Sequence, residues 1–360
     1  MKLFVTTFLT LVSFAAVANG ASMIRQEAEA GAPCQLTGTY KAGTDISSCD
    51  TITVGPLTVP GKVVLDLSRA KTGATINFVD TTTFGTAKWT GPLVWISGNH
   101  LTVKGSGTLD GQGAWYWRQG TSILRPIFFR MATVLDSTIS GFTIKNSPFH
   151  TFSIVDCKRT TLSGLTLDSS DGHGIDKNTD GFDLASNEYV TIKNNNIFNH
   201  DDCIAVTSGI HTIFSGNECT ESHGISIGSV GGNLVDDSTT VSDFVAQDNT
   251  ITNSLNGLRI KAVADLKGMV DNVKFINNHL ENVKNAIAIH SNYNRATGGY
   301  SGNPTSMVTI SKIKVDGLSG SASQVYDIFV NPNMVSMWTF TGITVTGAKG
   351  TCTGQPTGIC

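Results

Sequence analysis

The sequence predicts an all-β protein built as a parallel β-solenoid, and three patterns carry that prediction. Short apolar pairs recur as Phe152/Ile154, Phe182/Leu184, Ile204/Val206, Ile225/Ile227, Leu258/Ile260 and Ile287/Ile289, with second members spaced by 30, 22, 21, 33 and 29 residues. A second set, Ile144, Leu167, Ile197, Cys219, Ile251 and Leu280, keeps nearly the same steps, and four of its six members carry Asn two residues on (Asn146, Asn199, Asn253, Asn282). Asn and Gly punctuate these runs, with 38 Gly in 360 residues. Alternating strands at such a period can bury their inner faces only against the neighbouring coil. The spacing leaves no room for crossover helices, so helix is expected only as a possible N-terminal cap.

Each segment then takes its place along the chain. Residues 1–20 carry Lys2 and an uncharged apolar run from Leu3 to Ala18, the pattern of a secretory signal peptide with small residues at its candidate cleavage sites. The run falls short of the roughly 20 residues a membrane span needs. Residues 21–33, with Arg25 and a Glu-Ala-Glu-Ala-Gly series, lack an apolar pattern and read as a linker or pro-segment. Residues 34–360 are then one solenoid domain. Its first coils include Val63-Val64-Leu65, Leu101-Thr102-Val103 and a strand from Ile139 to Ile144. The Trp115-Tyr116-Trp117 cluster sits at a turn among them, where packing under a loop is favoured over sugar stacking. After Tyr300 the apolar runs weaken, as suits a cap over an open sheet edge.

Seven cysteines in an exported chain imply disulfides with one left over. Short spacings suggest Cys34 with Cys49, Cys203 with Cys219 and Cys352 with Cys360, leaving Cys157 as a buried thiol. Asn303 is followed by Pro304, so the one N-glycosylation-like triplet is blocked. A net charge of −3 without a basic run argues against a nucleic-acid partner. After export no membrane association is expected, and the protein is expected to be a monomer.

The chemistry clusters between Asn178 and Lys261. Counted from the second apolar residue of each pair, Asp180, Asp202 and His223 all fall at minus four in three successive coils, and Asp201 falls at minus five. Arg259 and Lys261 flank Ile260, so they point away from the core while Leu258 and Ile260 point into it. Stacked at about 4.8 Å, these positions gather three carboxylates, an imidazole and two cations on one face. Three close carboxylates cannot all ionise cheaply, so at least one should hold a proton. An acid beside a carboxylate is what glycosidic hydrolysis requires, and the two cations point to an anionic substrate. Each Asp alone is commonly a turn cap; the shared register with His223, Arg259 and Lys261 favours chemistry. No Cys-x-x-Cys occurs and the histidines are scattered, so no metal or other cofactor is expected. Gly181 and Gly224 suggest turns beside the cluster.

At these residues the chain resembles the polygalacturonases of family 28 of the glycoside hydrolases. The resemblance spans nearly all of the mature chain. It includes Thr83-Phe84-Gly85 with Trp89, Asp110-Gly111, Lys145-Asn146-Ser147-Pro148, Asn178-Thr179-Asp180-Gly181-Phe182-Asp183, Asp201-Asp202-Cys203, His223 to Gly232 and Arg259-Ile260-Lys261. It implies a right-handed parallel β-helix that hydrolyses α-1,4-galacturonosyl bonds of de-esterified pectin with inversion. By the same resemblance Asp201 is the general acid, Asp180 and Asp202 activate water, and His223 sits near the acid. Arg259, Lys261, Tyr293 and the Asn178 group contact substrate. Where the family usually has Gln and Gly, this chain has His200 and Ser222, and it reads His290-Ser291-Asn292-Tyr293 around the tyrosine. These departures bear on rate, pH optimum and subsite preference. Two alternatives remain: a hydrolase of rhamnogalacturonan or xylogalacturonan, and a non-catalytic pectin-binding homologue.

Overall fold

Both registers legible in the sequence are strand ladders. In the computed structural model, which describes residues 34–360, Ile154 pairs with Leu184, Leu184 with Val206, Val206 with Ile227, Ile227 with Ile260 and Ile260 with Ile289. The second register likewise runs Ile144, Leu167, Ile197, Cys219, Ile251, Leu280. A third ladder passes through Val103, Ile139, Leu162, Ile192, Phe214, Ala246, Phe275 and Val315. It was not evident from the sequence. Three ladders per coil enclose an apolar interior in which Phe129, Phe152 and Phe182 stack at 5.1 and 5.2 Å, all fully buried.

Among the described residues these pairings are parallel except for the hairpin of Tyr293–Asn294 with Gly299–Tyr300 and a single Gly232–Lys267 bridge. Successive parallel strands joined by crossovers wind right-handed, and the fold is a right-handed parallel β-helix. The leader and linker expected over residues 1–33 lie outside the described residues.

Several expectations are corrected in detail. Among the described residues the first element is a strand, Cys34–Thr39, paired with Thr51–Val59. The only α-helix among the described residues is Gly113–Trp117, so the aromatic cluster is helical rather than a turn. Tyr116 and Trp117 are buried there, the Trp117 indole donating to the Ser147 carbonyl at 3.1 Å, while Trp115 is exposed. The strand expected from Ile139 to Ile144 is broken at Gly141, whose φ of 85° turns the chain between two ladders. From Val63-Val64-Leu65 only Leu65–Asp66 is strand.

The disulfides are Cys34–Cys49, Cys203–Cys219 and Cys352–Cys360, as spaced in the sequence, and Cys157 is a buried free thiol pushed by burial to a pKa of about 11. The last strand, Thr344–Thr353, lies on Ser319–Phe329 and leaves most of its residues exposed.

A buried amide column runs beside the second ladder. Asn195, Asn217, Asn249 and Asn278 sit two residues before Ile197, Cys219, Ile251 and Leu280. The Asn195 amide donates to Asn217 at 2.8 Å, Asn217 to Asn249 at 3.1 Å and Asn249 to Asn278 at 2.9 Å. Each of the last three also donates to a backbone carbonyl of an earlier coil: Ile192, Phe214 and Ala246. Stacking equivalent turns makes every amide both donor and acceptor, which satisfies groups that burial would otherwise penalise.

Candidate active site

The site is built from three turns that enter the same ladder and from the outward residues of the strand beyond them. Asp180 precedes Phe182–Ala185, Asp201 and Asp202 precede Ile204–Val206, and His223 precedes Ile225–Val230. Ladder hydrogen bonds continue through these turns, Gly181 N–H to the Asp202 carbonyl at 2.9 Å and His223 N–H to the Asp201 carbonyl at 2.8 Å. Asn199 pins the central turn: its amide donates to the carbonyls of Thr179, Asp201 and Asp202 at 2.9–3.0 Å. The Cys203–Cys219 disulfide ties that turn to the second ladder. Gly181 is required for close approach rather than for a turn, because a Cβ there would lie 2.5 Å from the Cys203 carbonyl. Gly224 does turn, at φ 94°.

All eight predicted site residues, Asn178, Asp180, Asp201, Asp202, His223, Arg259, Lys261 and Tyr293, line one open cleft of about 260 Å³. Their environments differ sharply. Asp202 is buried, and its Oδ1 accepts from Ser226 at 2.6 Å and Arg259 at 3.2 Å while Oδ2 accepts from the Lys261 ammonium. Asp201 faces the cleft, its Oδ1 in contact with His223 Nδ1 at 3.0 Å and accepting from the Asp202 N–H at 2.9 Å, its Oδ2 accepting from the Asn178 amide at 3.2 Å. Asp180 has far less: His150 Nε2 lies 3.5 Å from its Oδ1.

These environments set the protonation. Burial, and then the charges of Asp201, Asp183 and Asp202, hold the Asp180 carboxyl well above the usual carboxylate range. Burial pushes Asp201 the same way, but the hydrogen bond and charge of His223, with Lys261 and the Asp202 N–H, outweigh it and hold Asp201 below that range. Of the three crowded carboxyls, Asp180 is the one whose surroundings favour the protonated form. Arg259 and Lys261 point away from the core as the alternation required, yet each side chain is only 7% exposed and both are paired with Asp202. Burial lowers the pKa of either cation, and Asp202, joined by Tyr300 and Tyr293 at Arg259 and by Tyr293 at Lys261, raises both overall.

The sequence reading missed His150 and Asp183, which line the cleft, and Arg125 and Tyr300, which contact residues that line it. His150 Nδ1 lies 2.8 Å from Asp183, and that carboxylate raises the imidazole's pKa despite burial. Arg125 donates to the Asn178 side chain at 2.9 Å and covers the Phe149 ring. The Tyr300 hydroxyl accepts from Arg259 Nε at 2.9 Å, and its ring stacks on His290 at 3.7 Å. Asp183 alone had a signal, as the outward neighbour of Phe182 in the ladder row that continues to Ser226 and Arg259.

The model of the glycosyl hydrolases family 28 matches residues 49–360. The chain belongs to that family. It is a glycoside hydrolase. It is 38% identical to the endopolygalacturonase I of Aspergillus oryzae, over 97% of this chain and 96% of that protein. Among solved structures it resembles endopolygalacturonase I from Stereum purpureum complexed with two galacturonate (TM-score 0.74, 29% identity, 87% of this chain and 95% of that one). It resembles the endo-xylogalacturonan hydrolase from Aspergillus tubingensis equally in shape (TM-score 0.74, 26% identity, 91% and 97%).

The residues that depart from the family pattern have local roles. Ser222 bonds Ser254 of the next coil and accepts from Gly224 N–H at 3.0 Å, bracing the His223 turn. His200 lies between Asp176 at 2.7 Å and Glu221 at 2.9 Å. Asn292 donates to the Gly302 carbonyl at 3.0 Å, which helps fold back the hairpin that carries Tyr300. Among the described residues no helix is long and apolar enough to cross a membrane.

Proposed function

We propose that the protein is an exported endopolygalacturonase that hydrolyses α-1,4-galacturonosyl bonds of de-esterified pectin with inversion, after removal of residues 1–20. The observation that carries this reading is the cleft itself. Two carboxyls shifted in opposite directions, Asp180 upward and Asp201 downward, face it together with Arg259, Lys261 and the imidazoles of His150 and His223, a set suited to an anionic sugar. The similarity to proteins named endopolygalacturonase supports the substrate and the internal mode of cleavage.

Asp201 acts as the general acid, Asp180 and Asp202 orient and activate water, and Asn178, Arg259, Lys261 and Tyr293 contact the sugar. Proton placement follows from substrate charge. A galacturonate carboxylate seated on Lys261 cancels one of the charges that depress Asp201 and lifts it toward protonation. Once Asp201 is neutral, the repulsion that holds the proton on Asp180 falls, and Asp180 becomes available as a base. The two groups thus titrate as a unit whose proton the substrate redirects.

One distance favours a second reading. Asp201 and Asp202 each offer an oxygen within 4.8 Å of the other, and retaining pairs hold their carboxyl groups roughly 5–5.5 Å apart where inverting pairs hold them roughly 6.5–9.5 Å apart. Against a retaining nucleophile stands the occupation of both Asp202 oxygens by Ser226, Arg259 and Lys261. Digestion of polygalacturonate, with the first-formed anomer followed by NMR before mutarotation, decides: β product supports inversion and α product establishes retention. Binding without release of reducing ends would make the protein a non-catalytic pectin binder. Faster release from xylogalacturonan would move the assignment to that substrate, which shares the galacturonan backbone.

A further inference from the structure

We propose that His173, His200 and Glu221 form a binding site for a first-row divalent transition metal, with zinc as its reference ion, directly behind the catalytic turns. The three residues are far apart in sequence and come together from three stacked segments. His173 follows the short 3-10 turn Ser170–Gly172, His200 immediately precedes Asp201, and Glu221 follows the strand Glu218–Thr220. Glu221 Oε2 lies 2.9 Å from His200 Nε2 and is also in contact with His173 Nδ1. One donor atom from each residue lies within 4.8 Å of the other two. A single cation between them converts two imidazole–carboxylate contacts into a two-nitrogen, one-oxygen ligand set with a position left for water, the donor chemistry that zinc and its neighbours favour.

A second, independent feature points the same way. The other nitrogen of His200, Nδ1, lies 2.7 Å from Asp176, whose side chain is fully buried and whose second oxygen accepts from Thr179 Oγ1 at 3.0 Å. Metal-ligating imidazoles are held by such a carboxylate on the far nitrogen, which fixes the ring and leaves its other lone pair for the ion. A capping Asp on an exposed turn would not need to be buried against an imidazole.

The site touches the chemistry through the backbone. His200 adjoins Asp201, and Glu221 lies two residues before His223. A dipositive ion there adds positive charge behind Asp201, favours its ionised form and slows a reaction that needs it protonated. That effect on rate rests on the acid role proposed above; binding of the metal does not.

The test is cobalt titration of the metal-stripped mature protein near neutral pH. Visible d–d bands that saturate at one equivalent, and are displaced by zinc, are expected. The His173→Ala variant, altered at an exposed side chain, should lose the bands and weaken zinc binding at least about tenfold while hydrolysing polygalacturonate normally without metal; Asp176→Asn should weaken zinc by roughly 10–100-fold. The absence of bands and of calorimetric zinc binding would overturn the proposal. Bands that persist in His173→Ala would also overturn it, because the ion would then lie elsewhere. If zinc inhibits wild type and His173→Ala equally, the link to catalysis fails even where binding holds.

Discussion

Two buried polar columns climb the same coils of this β-helix, one of amides and one of carboxylates, and they behave in opposite ways. In the amide column Asn195 donates to Asn217, Asn217 to Asn249 and Asn249 to Asn278, each bond reaching one coil on. In the cleft Asp180, Asp202 and His223 occupy equivalent positions of their turns, but an ionised carboxylate only accepts. Vertical neighbours therefore repel unless donors come from elsewhere. Asp202 obtains Ser226, Arg259 and Lys261, Asp201 obtains His223 and Asn178, and Asp180 is left to hold a proton. Stacking like on like stabilises a neutral, two-sided hydrogen-bonding group and perturbs a charged, one-sided one. The solenoid uses the first for stability and the second for reactivity.

The sharpest way to break this comparison is to remove the acid. Asp201→Asn keeps the shape and the hydrogen bond from the Asp202 N–H but cannot deliver a proton, so turnover of polygalacturonate should fall by about 10²–10⁴-fold, the usual contribution of a positioned acid. The circular dichroism spectrum should remain that of a β-helix. A variant that retains a tenth or more of wild-type activity would remove Asp201 from the acid role.

The next test acts on the other column. Asn217→Ala deletes the acceptor of the Asn195 amide and the donor to Ile192 and Asn249, all buried. Orphaned buried groups of this kind cost about 1–3 kcal/mol. Denaturant unfolding should show that loss while the KM and kcat of the folded enzyme stay near wild type. A large change in kcat would mean that the two columns are mechanically coupled, for instance through Cys219 and the disulfide to Cys203.

What could be read from the sequence divides along the same line. The two ladders that face Ile154 and Ile144 were legible because branched apolar residues repeat there at nearly constant steps. The third ladder was not, because it mixes Val103, Phe214 and Ala246, whose sizes differ and of which the last two follow a second apolar residue, Ile213 and Val245, that breaks the alternation. The amide column lies two residues before the markers of the second register; the asparagines that drew attention lie two residues after, and of these Asn146, Asn253 and Asn282 serve positive-φ turns. The carboxylates, His223, Arg259 and Lys261 were legible because each keeps a fixed offset from the ladder. His150, Arg125 and Tyr300 were not, since His150 lines the cleft and the other two contact its lining residues from connecting segments and a hairpin whose lengths the repeat does not set. Nor could register alone show that Asp202 would engage both cations while the surroundings of Asp180 favour its protonated form.

The smallest effect is also the most discriminating, and it concerns stability against pH at two adjacent carboxyls. Asp180 has a folded pKa raised above its unfolded value, chiefly by burial and then by Asp201, Asp183 and Asp202. Its contribution to stability is therefore fully present below the unfolded value and is lost as pH rises through the folded one. Asp180→Asn cannot ionise, so it escapes that loss: its melting temperature should match wild type in acid and exceed it progressively toward neutral pH, although the variant is inactive. Asp201 is the reverse case. Burial raises it, but His223 and Lys261 depress it further, so its contribution is present above the unfolded value and is lost as pH falls through the folded one. Asp201→Asn should then melt below wild type near neutral pH and converge with it in acid. Thermal scans of the two variants and wild type across this range should diverge in opposite directions. Parallel curves would show that the two carboxyls share one environment, and the asymmetry that assigns the resting proton to Asp180 would fall.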